Sequence, residues 1–336
     1  MVERRDVINT SIWAAKTIAY VFVELVIAIS IAFFLIHAMP GNPYQIILVS
    51  LLQKGIPYEQ AKIMAAALAG YNPNVNPIVS WAGYMWNVFH GNLGYSLIYR
   101  APVIKIIANA APWTILLVAV SLTLAFVTGY LLGLYAAHKT GIVDTLINGS
   151  LSFFQSIPAY VLALILIIIF GVILKIAPIA GAYSSNVTPG FNAKFILDVM
   201  RHLALPLVTY YLLIFPGWVF GTRSLAISIT NEDYVLVAKA RGLPDKRILF
   251  SYIGKNALLP QLTALLYSYG LMFGSSIFIE STFAIPGLGY VLAIGSGSRD
   301  YLLTIGAFLI IIIAVILGNF IADVSYGLID PRVRGV

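Results

Sequence analysis

The sequence predicts an all-α membrane protein with six spanning helices, and three observations carry that prediction. Hydrophobic residues make up 60% of the chain and charged residues only 10%, whereas soluble domains carry about 25% charged residues. The mean hydropathy is +0.92. Six segments contain the roughly 20 apolar residues that a spanning helix needs. A soluble globule is therefore excluded, because the polar surface is too small to cover it.

The predicted spans follow one another along the chain. Arg4 and Arg5 precede the first apolar stretch as in a signal peptide, but this stretch continues to Met39 without a small-residue cleavage site, which favours a retained span. Prolines lie inside or at the edge of later spans and are tolerated where neighbouring helices re-satisfy the freed carbonyls, which favours a packed bundle. The spans are 17–39, a stretch within 106–137, 151–174, 203–222, 257–279 and 302–322.

The distribution of Lys and Arg predicts the orientation. An even number of spans puts both termini on the same side, and the side richer in Lys and Arg is the cytoplasm. With the N-terminus inside, 12 of the 20 basic residues lie in cytoplasmic segments, so both termini are expected there. These twelve are Arg4, Arg5, Lys16, Lys139, Arg223, Lys239, Arg241, Lys246, Arg247, Lys255, Arg332 and Arg334.

The segment 40–111 is then extracellular, and it is too long for a bare connection. Its part 57–70 has helix-forming composition. Several aromatic residues punctuate the rest. They suit either an aromatic belt at the lipid headgroups or a docking surface for an extracellular partner, and the sequence leaves both open. They are Trp81, Tyr84, Trp86, Tyr95, Tyr99 and Trp113.

Reactive groups for an enzyme are missing from the sequence. There is no cysteine, which excludes disulfides and thiolate sites. No Gly-x-x-x-x-Gly-Lys-Ser/Thr loop is present, so no nucleotide site of that kind is expected. No basic run is long enough for a nucleic-acid partner. The histidines are scattered and share no helical face, so no metal site is expected; they are His37, His90, His138 and His202.

The segment 233–260, which reads DYVLVAKARGLPDKRILFSYIGKNALLP, differs from an ordinary loop. Its first part has helical spacing, with one predicted apolar stripe, and Asp233 suits the positive end of the helix dipole. Gly242 permits a left-handed cap, and Pro244 stops the helix. The predicted stripe consists of Tyr234, Val235, Val237 and Ala238.

Two interpretations of this bent hairpin remain open on physical grounds. The small residues Ala238, Ala240 and Gly242 would let a partner backbone approach closely, which favours a docking element. The basic residues that follow would equally suit an amphipathic helix lying on the anionic inner leaflet. The residues themselves do not decide between a protein partner and lipid.

The hairpin resembles the cytoplasmic signature loop of ATP-binding-cassette (ABC) importer permeases, in the variant typical of the dipeptide/oligopeptide/nickel class. That class shows Asp-Tyr, then Ala-x-Ala-x-Gly-Leu, a basic run, and Asn-Ala-Leu-Leu-Pro. The same order occurs here at 233–234, 238–243, 245–247 and 256–260. The broader superfamily has Glu-Ala-Ala before the glycine, whereas this chain has Leu-Val-Ala at 236–238. Only contacts that need the missing acid are affected. Further similar segments lie at 90–96, 102–103, 156–158, 278–283, 286–289, 299–301 and 330–334, together with Asn319, Asp323 and Tyr326.

The resemblance implies a type I ABC importer permease fold and a set of partners. These are two ABC ATPase subunits, a second homologous permease chain, an extracellular solute-binding protein and membrane lipid. ATP and Mg are expected on the ATPase subunits, with no cofactor on this chain. Oligopeptides, dipeptides or oligosaccharides are the implied substrates. The residues expected to couple to the ATPase are Asp233, Tyr234, Ala238, Ala240, Arg241, Gly242, Leu243, Asn256 and Pro260.

The resemblance also divides the chain. Residues 1–16 are expected as a cytoplasmic N-terminus, 17–39 as the first span and 40–111 as the extracellular segment. Residues 112–327 are expected as the core permease domain with five spans and the cytoplasmic coupling loop 223–259. Residues 328–336 complete the chain as a cytoplasmic tail.

Acidic residues at membrane depth are costly, so a functional role is their default interpretation. Glu280, Asn319 and Asp323 are candidates for the translocation path or a gate. The alternatives are a helix-end packing role for Glu280 and an ion pair or cap for Asp323. A rival function is an ion-coupled secondary transporter that uses Glu24, Glu280 or Asp323. The absence of inverted-repeat halves and the large hairpin count against it.

Overall fold

The computed structural model describes residues 2–38, 43–69, 76–138 and 142–329, and these residues are predominantly helical. Met39, at the predicted end of the first span, and the similar terminal segment 330–334 lie outside the described residues. The chain divides into two compact units. The first contains Met1–Thr114, Phe273–Ile277 and Pro286–Val336, and the second contains Ile115–Met272 and Phe278–Ile285.

The described helices and strands follow in chain order. Two π-helical segments, Ile167–Ile173 and Ile248–Gly254, continue α7 and α10 respectively. The other elements are α1 (Val2–Ala38), α2 (Pro43–Gln53), α3 (Tyr58–Ala69), α4 (Pro77–Phe89), β1 (Tyr95–Ser96), β2 (Ala101–Pro102), α5 (Val103–His138), α6 (Ile142–Ser156), α7 (Ala159–Leu166), α8 (Ala193–Thr230), α9 (Asp233–Ala240), α10 (Asp245–Arg247), α11 (Lys255–Ser275), α12 (Ile277–Thr282), α13 (Leu288–Gly297) and α14 (Tyr301–Ile329).

Five of the six predicted spans coincide with helices that are long and apolar enough to cross a membrane. The third predicted span, 151–174, corresponds to a bent helix pair that passes the same test of length and apolarity only as a pair. Its residues form a helix pair, Gly149–Ser156 and Ala159–Ile173, bent by 101°. Pro158 lies at the break, where its ring fixes the backbone and removes an N–H donor. The spanning candidates are Ala15–Leu35, Val103–His138, Ala193–Thr230, Asp245–Thr282 and Tyr301–Val324.

The first unit buries one face of α1 against neighbouring helices. Ala28, Ile29, Ala32 and Phe33 are buried in a core shared with α2, α3, α13 and α14. The predicted helix at 57–70 is confirmed as α3, whereas α2, α4 and the short antiparallel pair β1–β2 were not predicted. The segment 40–111 is therefore largely helical in its described part.

The second unit is held by a close approach of α5 and α8. A Cβ at Gly129 would lie 2.6 Å from the Trp218 Cβ, and one at Gly133 would lie 2.7 Å from the Thr222 Cβ. The spacing Gly-x-x-x-Gly is the small-residue pattern that lets two membrane helices pack with their backbones close together. These contacts hold the C-terminal parts of α5 and α8 together. The candidate site is built from these parts.

Candidate coupling site

The predicted bent hairpin is confirmed in the structure. Helix α8 ends at Thr230, and α9 runs from Asp233 to Ala240. A turn then leads into α10 and the π-helical segment 248–254. The Gly242 N–H donates to the Lys239 carbonyl (2.9 Å), and the Leu243 N–H donates to the Ala238 carbonyl (3.3 Å). This pair of bonds is the Schellman motif, which satisfies carbonyls at the helix end.

Gly242 is required by backbone conformation. Its φ is +69°, in the left-handed region that costs other residues roughly 1–2 kcal/mol. A Cβ built there would meet nothing within 4 Å. Close packing inside the chain is therefore not the reason for the glycine, and the prediction of a left-handed cap holds.

The inner face of α9 is formed by Val235 and Ala238. Val235 is 0% exposed and Ala238 is 2% exposed. They pack in a core with side chains of α5, α8 and the π-helical segment: Leu134, Ala226, Ile248, Leu249 and Ile253. Ala238, expected to let a partner approach, instead contacts the chain's own core, because positions three apart on a helix share one side.

The outer face of α9 is formed by Asp233, Tyr234, Leu236, Val237 and Ala240, all of which are exposed. At 100° per residue these positions occupy one continuous arc of the helix surface. The predicted single apolar stripe is therefore wrong. It is divided between the buried inner face and an outer face on which Val237 is 50% exposed.

Charged residues lie around the outer face of α9. Lys239, Arg241 and Asp245 are exposed around it. Partial burial and the neighbouring Glu232 carboxylate raise the pKa of Tyr234. An apolar centre with a charged rim is the ordinary composition of a protein–protein interface.

A cleft of about 290 Å³ lies beside α9. Its lining combines two potentially basic groups, His138 and Lys239, with the Asp245 carboxylate. No local pattern indicated that His138, at the end of α5, would lie near the hairpin. The remaining lining residues are Ala137, Thr230, Ile248, Leu249 and Ile253.

The hairpin is tied directly to a spanning helix. The Tyr130 hydroxyl on α5 donates to the Gly254 carbonyl of the π-helical segment at 2.7 Å. A Cβ at Gly254 would lie 3.1 Å from the Leu134 Cδ1. Helix α9, the π-helical segment 248–254 and the C-terminal part of α5 therefore form one packed body. Close-packed interiors transmit displacement. Sequence analysis missed Tyr130 because nothing in its local pattern indicates a distant carbonyl.

The last two residues predicted for coupling lie on α11. Asn256 is exposed, and its Nδ2 donates to the Tyr252 carbonyl at 2.6 Å, one turn earlier. Pro260 is inside α11 and exposed. Both residues shape the return of the hairpin into its span, outside the outer face of α9.

The predicted path residues are divided between the two units. Glu280 on α12 is fully buried, and its carbonyl accepts the Ile285 N–H at 2.9 Å. Asn319 and Asp323 lie one turn apart on α14, and both are half-buried. Glu280 belongs to the second unit and the α14 pair to the first. Across the described ranges, no three His, Cys, Asp or Glu side chains are grouped as metal ligands.

Comparison with known proteins places the hairpin inside a family match. The model of the family described as "Binding-protein-dependent transport system inner membrane component" matches residues 129–335. The chain is 32% identical over 315 residues to a protein of Brucella suis biovar 1 (strain 1330) that is provisionally named a peptide permease, covering 92% of this chain and 95% of that one. It is 29% identical over 322 residues to the dipeptide transport system permease protein DppB of Escherichia coli (strain K12), covering 90% and 93% respectively.

Proposed function

This chain belongs to the family of binding-protein-dependent transport system inner membrane components, and from that premise we propose that the outer face of α9 receives the importer's ATPase. The chain is a multi-pass inner membrane protein and a permease subunit of an ABC importer. Family membership is also the reason to set aside the ion-coupled secondary transporter.

One observation supports this role for α9 above the others. Its inner face is fixed in the core of the second unit, while its outer face is left exposed with apolar residues among charges. A helix lying on lipid would need a charge-free apolar side, which Asp233 interrupts. We therefore assign Asp233, Tyr234, Ala240 and Arg241 to the ATPase contact, and Ala238, Gly242 and Leu243 to the bend that supports it.

The same packing provides a route by which movement of α9 reaches the spanning helices. When the ATPase subunits close on ATP, α9 moves with them. The displacement passes through Val235 and Ala238 to the core, and through the Tyr130–Gly254 hydrogen bond to α5. The close contact at Gly133 carries it to α8. ATP shifts the permease between inward-open and outward-open states because it stabilises one of them more than the other.

The partners follow from the number of hairpins. One chain offers one α9 helix, whereas two ATPase subunits must be engaged, so a second homologous permease chain completes the importer. ATP and Mg bind to the ATPase subunits, and this chain supplies neither nucleotide ligands nor hydrolysis. An extracellular solute-binding protein delivers the substrate.

The orientation proposed for the complex places both termini and the loop 223–259 in the cytoplasm, in agreement with the Lys and Arg distribution. Residues 1–16 and 328–336 are then cytoplasmic, 17–39 form the first span and 40–111 start on the extracellular side. Residues 112–327 form the core permease domain. Glu280, Asn319 and Asp323 are proposed as polar groups of the path or its gate, because polar and ionisable residues within spans carry function by default.

Peptides are the proposed substrate class. The two relatives compared above are named for peptide and dipeptide transport. Oligosaccharides are the alternative. Identifying the solute that the partner binding protein retains on purification distinguishes the two substrate classes.

The function is tested by co-expressing this chain with its partner permease and ATPase subunits and reconstituting the purified complex. We expect the ATPase subunits to co-purify, and peptide-loaded binding protein to stimulate ATP hydrolysis and uptake together. Purification of the chain without ATPase subunits, or uptake driven by an ion gradient without ATP, would contradict the proposal. Stimulation by a loaded sugar-binding protein would overturn only the substrate assignment.

A further inference from the structure

Helix α4 lies in a stretch that contains no charge. Between Lys62 and Arg100 the sequence has no Asp, Glu, Lys or Arg. The exposed side of α4 carries large apolar side chains that are 52% to 73% exposed, namely Ile78, Val79, Trp86 and Phe89. A charge-free helix with this much exposed apolar surface is unsuited to water.

The contacts of α4 place it beside the membrane-spanning part of α1. The Trp81 indole N–H donates to the Ser30 hydroxyl at 3.0 Å. The ring of Phe89, the last residue of α4, stacks on Phe22 of α1 with centroids 6.3 Å apart. Ser30 and Phe22 both lie inside the candidate span Ala15–Leu35.

The depth of α4 follows from the helix rise. Phe22 precedes Leu35, the C-terminal end of the span, by 13 positions, which is about 20 Å along a helix. The hydrocarbon core of a bilayer is about 30 Å thick. The end of α4 therefore lies well below the level at which the candidate span of α1 ends.

The chain then returns to the same side of the membrane. A Cβ at Gly306 would lie 3.7 Å from the Leu93 Cβ, and the Ser96 hydroxyl donates to the Asp300 carboxylate at 2.7 Å. Asp300 immediately precedes the span Tyr301–Val324. Ile47 of α2, the helix that follows α1, lines the same small cavity as Asp300. The end of α1 and the start of α14 therefore share one side.

The backbone at the deep end of α4 is satisfied internally. The Gly91 N–H donates to the Val88 carbonyl (2.9 Å), and the Asn92 N–H donates to the Asn87 carbonyl (2.8 Å). The His90 Nδ1 lies 2.8 Å from the Trp86 carbonyl. Gly91, with a φ of +75°, makes this closed turn possible. Internal satisfaction of backbone groups is what hydrocarbon demands and water does not.

We propose that α4 and the turn 90–94 form a re-entrant element, which enters the lipid bilayer from the side on which the α1 span ends and reaches the level of Phe22 with Phe89. Ile78, Val79, Trp86 and Phe89 contact lipid acyl chains. The surface is continuous with α1, where Phe22, Val23 and Ile27 are also exposed. By contrast, the α2–α3 connection with Lys54 and the first part of α3 with Glu59 and Lys62 carry charges and remain in water. Lipid is the occupant favoured over a protein because no charged rim surrounds the face.

The test uses single-cysteine variants, because the natural chain contains no cysteine. Phe89→Cys and Val79→Cys probe the re-entrant element. Ile27→Cys is the lipid-facing control on α1, and Glu59→Cys, whose natural side chain is 80% exposed, is the water-facing control. Each variant is labelled with an environment-sensitive fluorophore in detergent. The complete transporter complex is then reconstituted in bilayers containing nitroxide-labelled lipid.

We expect the Phe89→Cys and Ile27→Cys labels to be quenched by the lipid nitroxide several-fold more strongly than the Glu59→Cys label, with aqueous iodide giving the reverse order. Val79→Cys, nearer the start of α4, should be quenched by shallow nitroxides more than by deep ones. Iodide quenching of the Phe89→Cys label equal to that of Glu59→Cys would overturn the proposal. Protection from both quenchers only when binding protein is added would overturn it in favour of a protein-docking face. Ile78→Cys replaces any variant whose complex does not assemble.

Discussion

Helices α9 and α4 are alike in backbone design and opposite in surroundings. Each is a short helix that ends before a left-handed glycine, with φ of +69° at Gly242 and +75° at Gly91. Each leaves large apolar side chains exposed. However, α9 carries Asp233 and Lys239 and is followed by further charges, whereas α4 lies in a stretch without any.

The difference teaches that exposed apolar surface does not by itself identify a partner. A charge placed in hydrocarbon costs at least about 2.5 kcal/mol on insertion scales, so the charges around α9 keep its outer face in water, where a protein can bind. The absence of charge around α4 permits lipid contact. The buried faces of the two helices differ in the same sense. Helix α9 packs on the core that joins α5 and α8, whereas α4 packs on α1.

The largest effect is expected from Val235→Asp, which places a carboxylate in the buried inner face of α9. An unpaired buried charge costs roughly 3–5 kcal/mol, so the hairpin should become protease-sensitive and uptake should be lost. The matched control Val237→Asp changes the same residue type on the outer face. It should leave the hairpin protected and weaken retention of the ATPase subunits about tenfold, or about 1.4 kcal/mol. Equal protease sensitivity of both variants would remove the distinction between the two faces.

Gly242→Pro should uncouple ATP hydrolysis by the ATPase subunits from solute uptake. Proline fixes φ near −65°, which is incompatible with +69° at this position, and the bend after α9 cannot form. Membrane insertion should be normal, while ATP hydrolysis proceeds without uptake. Gly242→Ala is the graded control and should cost only about 1–2 kcal/mol. Normal uptake by Gly242→Pro would show that the bend has no part in coupling.

Trp86→Lys tests the surroundings of α4 directly. A lysine facing lipid costs up to about 3 kcal/mol at the bilayer centre and less where it can reach the headgroups. The thermal stability of the purified complex in bilayer discs should therefore fall measurably. Val237→Lys on α9, already close to charged residues, should leave stability unchanged within about 0.5 kcal/mol. Equal thermal stability of the Trp86→Lys and Val237→Lys complexes would contradict the proposed difference in surroundings between α4 and α9.

A further test concerns the contact between α5 and α8 that links α9 to the bundle. Gly133→Val adds a Cβ that would start 2.7 Å from both the Thr222 Cβ and the Val219 carbonyl oxygen. Overpacking of this kind costs about 1–3 kcal/mol, and the number of ATP molecules hydrolysed per solute should rise. Gly217→Ala on α8, where a Cβ meets nothing within 4 Å, is the control and should change neither stability nor coupling.

Local chemistry accounts for the elements that were predictable. The apolar lengths of five spans, the helical composition of 57–70 and the Gly-Leu-Pro bend after α9 are properties of consecutive residues, and the structure has all of them. The bend in the third span was not predicted, although Pro158 was visible. Whether a proline merely interrupts a helix or bends it by 101° depends on the neighbours that re-satisfy its freed carbonyl.

By itself, the sequence determined that the chain crosses a membrane, that it has a helical hairpin with a left-handed glycine, and that it lacks a cysteine or a phosphate-binding loop. These follow from composition and from steric rules that act over a few residues. Only the tertiary structure decided which side of α9 is buried, that Tyr130 holds Gly254, and that α4 descends along α1. Those outcomes depend on packing between residues far apart in the chain, which no local pattern encodes.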